Sequence, residues 1–262
     1  VYGLTHLKIK LCGDADTDRA RLKGIAALMK DRKCEFTLDG NEQYTELTPF
    51  RDLWEAIRSD SELTTFLEGL IFVEQPLHRD VALSDEAQSV LSNWDDCPPM
   101  IIDESDGALD SSRRALDCGY VGTSHKNCKG VFKGIANASL MAEREKASGR
   151  RHILSSEDLA NVGPVALTQD LAVLATLGVT HSERNGHHYF AGLDMFPGNV
   201  QEQIAEHHGS LYRSNGSFLA LAVSNGTLDI SSVVDAPFGY AFDFDTTCFT
   251  PLDEWSSDSL EL

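Results

Sequence analysis

Leu70-Ile71-Phe72-Val73-Glu74-Gln75-Pro76 decides the reading of the fold. An unbroken apolar run with β-branched Ile71 and Val73 suits a strand buried on both faces. The run stops at a carboxylate, an amide and a proline. The same unit returns downstream as Met100-Ile101-Ile102 followed by Asp103-Glu104-Ser105. It also stands upstream, where Cys34 to Leu38 runs into Asp39-Gly40-Asn41. Further upstream, Thr5 to Leu11 is strand-like and contains Lys8-Ile9-Lys10. These strand ends recur at roughly thirty-residue intervals, the length of a strand with its crossover helix.

Helical patterns fill the gaps. Leu22, Ile25, Ala26 and Met29 recur at i, i+3, i+4 and i+7, with Asp16 or Thr17 as the expected cap. Further helices are expected over 49–67, 84–94, 108–116 and 131–146, with strands at 120–124 and 152–154. Pro164 suits a helix start, Leu167, Leu171 and Leu174 form its stripe, and Gly178 suits its C-cap. Alternation of this kind predicts an α/β protein with parallel strands. A doubly wound sheet and a (β/α)₈ TIM barrel both fit. The barrel is favoured because polar residues close almost every strand, as they do where a site rings the C-terminal mouth. After Ser214, Gly, Ser and Asp replace the helical period. The expected division is therefore a barrel over 1–213 and an irregular extension over 214–262.

Composition excludes several functions. At 42% hydrophobic and 24% charged residues the 262-residue chain is globular rather than disordered. Its 22 basic and 41 acidic residues give a net charge of −19, which disfavours nucleic acid and anionic membrane surfaces as partners. No apolar run reaches the ~18 residues of a membrane span. The six cysteines show no C-x-x-C spacing, so free thiols in a reducing, cytoplasmic setting are expected. Sequons at Asn137, Asn215 and Asn225 are short enough to arise by chance. The chain opens on Val1 close to a strand, so a fragment is expected.

The strand ends carry the chemistry. Asp39, Glu74 and Asp103 follow three consecutive strands, and hard oxygen ligands from separate strands are what Mg²⁺ needs. Acids are common in this chain, and one such residue alone would read as a helix cap or a solvated loop group. Three in succession outweigh that reading. Strand alternation puts Lys8 and Lys10 on one face and Ile9 on the other. Inside a barrel, burial and mutual repulsion would lower a lysine pKa and make one a base, although K-x-K also occurs on exposed edges. A second lysine stands one strand beyond Asp103, either Lys126 or Lys129.

In this order K-x-K, D-G-N, V-E-Q-P, I-D-E-S and a further lysine resemble the enolase superfamily, in particular its muconate-lactonizing and mandelate-racemase-like barrel domain. The resemblance spans Lys8 to Lys129 and extends with the barrel pattern to about Arg213. It implies an enzyme, a lyase or isomerase, that uses Mg²⁺ to remove the proton α to a carboxylate through an enediolate. The dehydratase, epimerase, racemase and cycloisomerase outcomes stay open. It implies Asp39, Glu74 and Asp103 as metal ligands, Lys10 as the acid/base on one substrate face with Lys8 beside it, and Lys126 on the other face. The sequence departs from the pattern in having K-N-C-K-G-V with a single glycine, so Lys126 is preferred to Lys129 without excluding it. The family's N-terminal capping domain and first strand are expected to be missing. The extension would pack on the barrel or on that cap.

Asn41, Asp158 and His187 are candidate substrate contacts at the strand ends. Asp158 also suits a helix cap, and His187 also suits packing. His207-His208 reads as structural, and Cys128 as packing rather than a reactive thiol. Polar residues past the last strands favour a sugar acid or a dipeptide as the small carboxylate substrate. A homo-oligomer is expected by analogy. The competing expectations are a non-catalytic barrel that keeps its acids and a metal-assisted hydrolase.

Overall fold

The computed structural model describes residues 2–32, 34–157, 159–240, 242–247 and 249–260. Two compact units divide the chain. The first comprises 1–159, 173–185 and 223–227, and the second 160–172, 186–222 and 228–262. The pieces of the two units interleave along the chain.

The first unit holds six strands: β1 (His6–Lys10), β2 (Glu35–Asp39), β3 (Leu70–Glu74), β4 (Met100–Ile102), β5 (Gly122–His125) and β6 (Ile153–Ser156). All neighbouring pairs are parallel, and the spatial order is β1-β2-β3-β4-β5-β6. That order separates the two expected folds. A doubly wound sheet reverses its order at a switch point, whereas a barrel adds each strand beside its predecessor. The winding is that of a partial TIM barrel. A parallel bridge from Glu157 to Glu183 adds one more contact beyond β6.

The crossovers are α1 (Ala15–Met29), α2 (Leu47–Ser59), α3 (Thr64–Leu67), α4 (Arg79–Ala82), α5 (Asp85–Leu91), α6 (Ser111–Cys118) and α7 (Val131–Ser148). The helix expected over 49–67 is two, broken where Asp60 caps α2 in an extended conformation. The cap of α1 is Asp14, not Asp16 or Thr17. Its side chain accepts from Thr17 N at 2.8 Å, the reach of an N-cap to the N3 amide.

Strand alternation sorts the side chains into two layers. Ile9, Phe36, Leu38, Val73, Met100 and Ile102 face the helices and pack with Leu22, Phe50, Leu53, Trp54 and Ile57. Each such buried side chain contributes about 1.5–3 kcal/mol. On the other face Phe72, Ile101 and Val121 form a smaller cluster with Ile153. This inner face also carries Lys8, level with Phe72 through Thr37, and Lys10, Asp39 and Glu74 one step nearer the C-terminal ends. Lys10 is in register with Asp39, and Asp39 with Glu74. The loop after β1 is pinned by Asp18, fully buried, which accepts from Cys12 N at 3.0 Å and Gly13 N at 3.2 Å.

The second unit contains α10 (Gly198–His207), which follows the short α9 (Gly186–Tyr189), and an antiparallel pair, β7 (Tyr212–Ser214) and β8 (Leu219–Leu221). Helix α8 (Val165–Leu177) begins directly after Pro164 and is followed by Gly178 at φ +69. No helix among the described residues is long and apolar enough to cross a membrane.

Candidate active site

The inner-face lysines and acids meet at the C-terminal ends of the strands. Lys8 Nζ lies 2.9 Å from Asp39 Oδ2, 2.9 Å from Glu74 Oε2, 2.9 Å from Glu157 Oε2 and 2.7 Å from Glu183 Oε2. Lys10 Nζ donates to Asp39 Oδ2 at 2.6 Å and is half exposed. Across the ring, Lys126 Nζ donates to Asp103 Oδ2 at 2.7 Å and pairs with Glu157. Lys129 Nζ donates to Asp103 Oδ1 at 2.7 Å and to the carbonyls of Asp103 and Ser124, both at 2.8 Å.

Burial and charge set the protonation states. Burial pushes the Glu74 carboxyl up to about 8, with Asp39 and Asp103 adding to the rise and Lys8 opposing it. Burial also acts against the charged form of Glu157, but Lys8 and Lys126 outweigh it and hold that carboxyl near 2. Glu183 is raised by burial despite Lys8. For Lys8 burial works downward, yet Glu74, Asp39, Glu157 and Glu183 together hold its pKa above the ordinary lysine value. Lys126 is raised in the same way by Asp103 and Glu157, against burial.

The donor set suits a hard divalent cation. Oxygens of Glu74, Asp103 and Glu157 lie within 4.8 Å of one another. Glu74 Oε1 is buried without a hydrogen-bond partner among the described residues. A buried acceptor left in this state costs about 1–3 kcal/mol unless a cation or water engages it. Glu74 and Asp103 thus recur from the sequence-based set. Asp39 lies outside this close group but shares the Lys8 ammonium with Glu74.

The remaining candidates fall in different places. Asn41, at φ +39, donates its backbone N–H to Asp39 Oδ1 at 2.9 Å and its side-chain amide to Glu104 at 3.4 Å. Asp158 lies outside the described residues. His187 lies in α9 of the second unit. Glu157 and Glu183 complete the ring and are not among the site residues expected from sequence. Glu157 has a sequence signal, since it continues the inward alternation of Ile153 and Ser155. Glu183 stands on a single bridge, without a strand pattern to announce it.

No protein-family model matches the sequence, and no curated protein matches it. Solved structures do. Muconate lactonizing enzyme from Pseudomonas putida aligns with a TM-score of 0.52 at 18% identity, over 71% of this chain and 48% of that one. The enzyme of that name from Pseudomonas fluorescens, complexed with muconolactone, aligns at 0.50 and 20% identity, over 70% and 45%. An enolase from alpha pretobacterium bal199 with bound Mg aligns at 0.51 and 14% identity, over 86% and 49%. The likeness is one of fold, that of a parallel α/β barrel. The chain spans about half the length of the structures it matches.

Proposed function

We propose that the protein is an enolase-type lyase or isomerase that removes the proton α to a carboxylate in a small carboxylic acid, through an enediolate. The observation that carries this reading is the convergence of acids from successive strand ends with lysines at both sides of the ring. Glu74 and Asp103 would hold Mg²⁺, with Asp39 as the third ligand expected from the strand-end pattern. The gathering of Glu157 with Glu74 and Asp103 favours a second choice for that third position. Bound there, the ion would ligate the substrate carboxylate and stabilise the charge that develops on it.

The chain's own groups would do the proton work. Lys10, nearer the solvent-accessible rim, would take the α-proton from one face. Lys126 would deliver or return a proton on the other. Both must lose a proton to act as bases, and the surrounding acids oppose that for Lys126. Once those acids are neutralised, burial alone acts on Lys126 and lowers its pKa toward a base's working range. Lys8, beside Lys10, would steady the substrate carboxylate. A sugar acid or dipeptide suits the polar groups past β6. Unpaired Cys12, Cys34, Cys97, Cys118 and Cys128 suit a reducing compartment, which we take to be the cytoplasm.

The test is exchange of the substrate α-proton with deuterated solvent, read by NMR, for a panel of carboxylic acids with the full-length protein and Mg²⁺. Lys10→Ala should slow exchange by at least about 100-fold, the contribution of a positioned base, while leaving Mg²⁺ binding intact. Absence of exchange across the panel with the parent protein would defeat the catalytic reading. One observation favours a second reading, a non-catalytic barrel whose acids form a closed salt-bridge network. The Lys8 ammonium already contacts four carboxylates. On that reading Mg²⁺ would not bind.

A further inference from the structure

Gln75 follows Glu74 and is 1% exposed. Its Oε1 accepts from the backbone N–H of Asp103 at 2.8 Å and of Ser105 at 3.2 Å. Its Nε2 donates to the Leu77 carbonyl at 2.7 Å and to Ser105 Oγ at 2.7 Å. An amide side chain has two acceptor and two donor positions, and all of them are used.

The ladder between β3 and β4 explains why this matters. Its register runs through Val73 opposite Met100 and Glu74 opposite Ile101. The Gln75 N–H adds one further bond, to the Ile101 carbonyl at 2.9 Å. Asp103 lies beyond those pairs, where the strands have stopped fixing each other. The Gln75 side chain takes over there. It gives the Asp103 N–H an acceptor and fastens the same turn at Ser105 through both ends of the amide.

We propose that Gln75 is a positioning residue that sets the spacing of the Glu74 and Asp103 carboxylates, by tying the backbone bearing one to the backbone bearing the other. The proposal rests on the reading of Glu74 and Asp103 as joint ligands of a divalent cation. An amide is required by what surrounds it. Two N–H groups face one end, so that end must accept. A carbonyl and a hydroxyl face the other, so that end must donate. A methionine offers neither. A glutamate keeps the acceptor and loses the donor unless it is protonated.

The experiment uses the full-length protein with Gln75→Met and Gln75→Glu, and two readouts. The first is amide hydrogen exchange of Asp103 and Ser105 without metal. The second is Mn²⁺ affinity by electron paramagnetic resonance. In Gln75→Met with unchanged circular dichroism, both amides should exchange at least ten times faster while the Thr123 amide on β5 does not change. Mn²⁺ should bind at least ten times more weakly. Gln75→Glu should restore protection of the Asp103 amide. Parent-like exchange, or parent-like Mn²⁺ affinity, in a folded Gln75→Met protein overturns the proposal. If the parent protein binds no Mn²⁺, the cation reading fails and the exchange readout alone decides whether the tie exists. If Gln75→Met does not fold, Ser105→Ala takes its place. It removes one partner of the amide and should speed Asp103 exchange several-fold, and parent-like exchange there overturns the proposal.

Discussion

Lys8 Nζ sits 2.9 Å from Glu74 Oε2 and is shared with three further carboxylates, those of Asp39, Glu157 and Glu183. The Lys8 side chain is 11% exposed and that of Glu74 3%. Pairs buried to this degree cost more to break by removing one partner than they contribute when intact, because the surviving charge is stranded.

Lys8→Met should therefore lower the stability of the metal-free protein by about 3–5 kcal/mol. Mg²⁺ should recover part of the loss, since a ligand that binds only the folded state stabilises it by mass action. Urea unfolding with and without Mg²⁺ measures both effects. A variant as stable as its parent without Mg²⁺ would show that the acids do not depend on this ammonium.

Glu74 gives the metal-free protein a pH dependence of definite sign. Its carboxyl rises from 4.5 to about 8 on folding, mainly through burial. Between those values the folded chain keeps a proton that the unfolded chain has released. Stability should fall as pH rises through that window, by an amount on the order of a few kcal/mol. Glu157 acts in the opposite sense at lower pH. Its carboxyl drops from 4.5 to about 2, so its contribution is present above 4.5 and lost as pH falls toward 2. Glu74→Gln should flatten the upper limb and leave the lower one. An upper limb that persists in this variant would assign the effect to another group.

The two candidate lysines past β5 should behave differently. Lys129 spends its three donors on the Asp103 carboxylate and on the carbonyls of Asp103 and Ser124. That is a structural tie to the backbone, although the Asp103 carbonyl also accepts from the Asp106 N–H at 3.0 Å, so Lys129→Met removes one of its two donors rather than orphaning it. Lys126 pairs instead with two carboxylates of the ring, those of Asp103 and Glu157. Lys126→Ala should slow α-proton exchange on one substrate face by about 100-fold or more, and by more than Lys129→Met does. The reverse ranking in exchange rates would exchange their roles.

Strand identity is legible in the sequence because apolar runs such as Leu70 to Val73 meet polar ends. The barrel rather than the doubly wound sheet follows from where those ends lie, and the sequential strand order agrees. The strand expected at 120–124 lies instead at Gly122–His125, because the backbone of Tyr120 closes the α6 turn onto Ala115. The acids of the last two positions are harder to read. Strand β6 is Ile-Leu-Ser-Ser, without the apolar run that announces β3, so Glu157 stands out less than Glu74. Several acids crowd the start of α1, and only geometry selects Asp14 as the one whose side chain reaches Thr17 N. The Gln75 tie is invisible in sequence, since an amide beside a proline gives no hint of which backbone it will meet.

Gly122 tests the sheet itself. A Cβ built on it would lie 1.7 Å from the Ile153 carbonyl oxygen and 2.7 Å from its carbon, on the neighbouring strand β6. Backbone on an adjacent strand cannot withdraw as the tip of a long side chain can. Gly122→Ala should force β5 and β6 apart at the residue pair that begins their register, and cost more than about 3 kcal/mol, the range of severe overpacking. Gly24 supplies the contrast. It lies on the exposed side of α1, and an added methyl would meet nothing within 4 Å, so Gly24→Ala should stabilise by about 0.5–1 kcal/mol through helix propensity. Denaturant midpoints of the two variants should move in opposite directions. A tolerated Gly122→Ala would mean that the β5–β6 pairing is looser than the 2.9 Å bond from Ile153 N to the Val121 carbonyl indicates, and the seat of Glu157 beyond β6 would loosen with it.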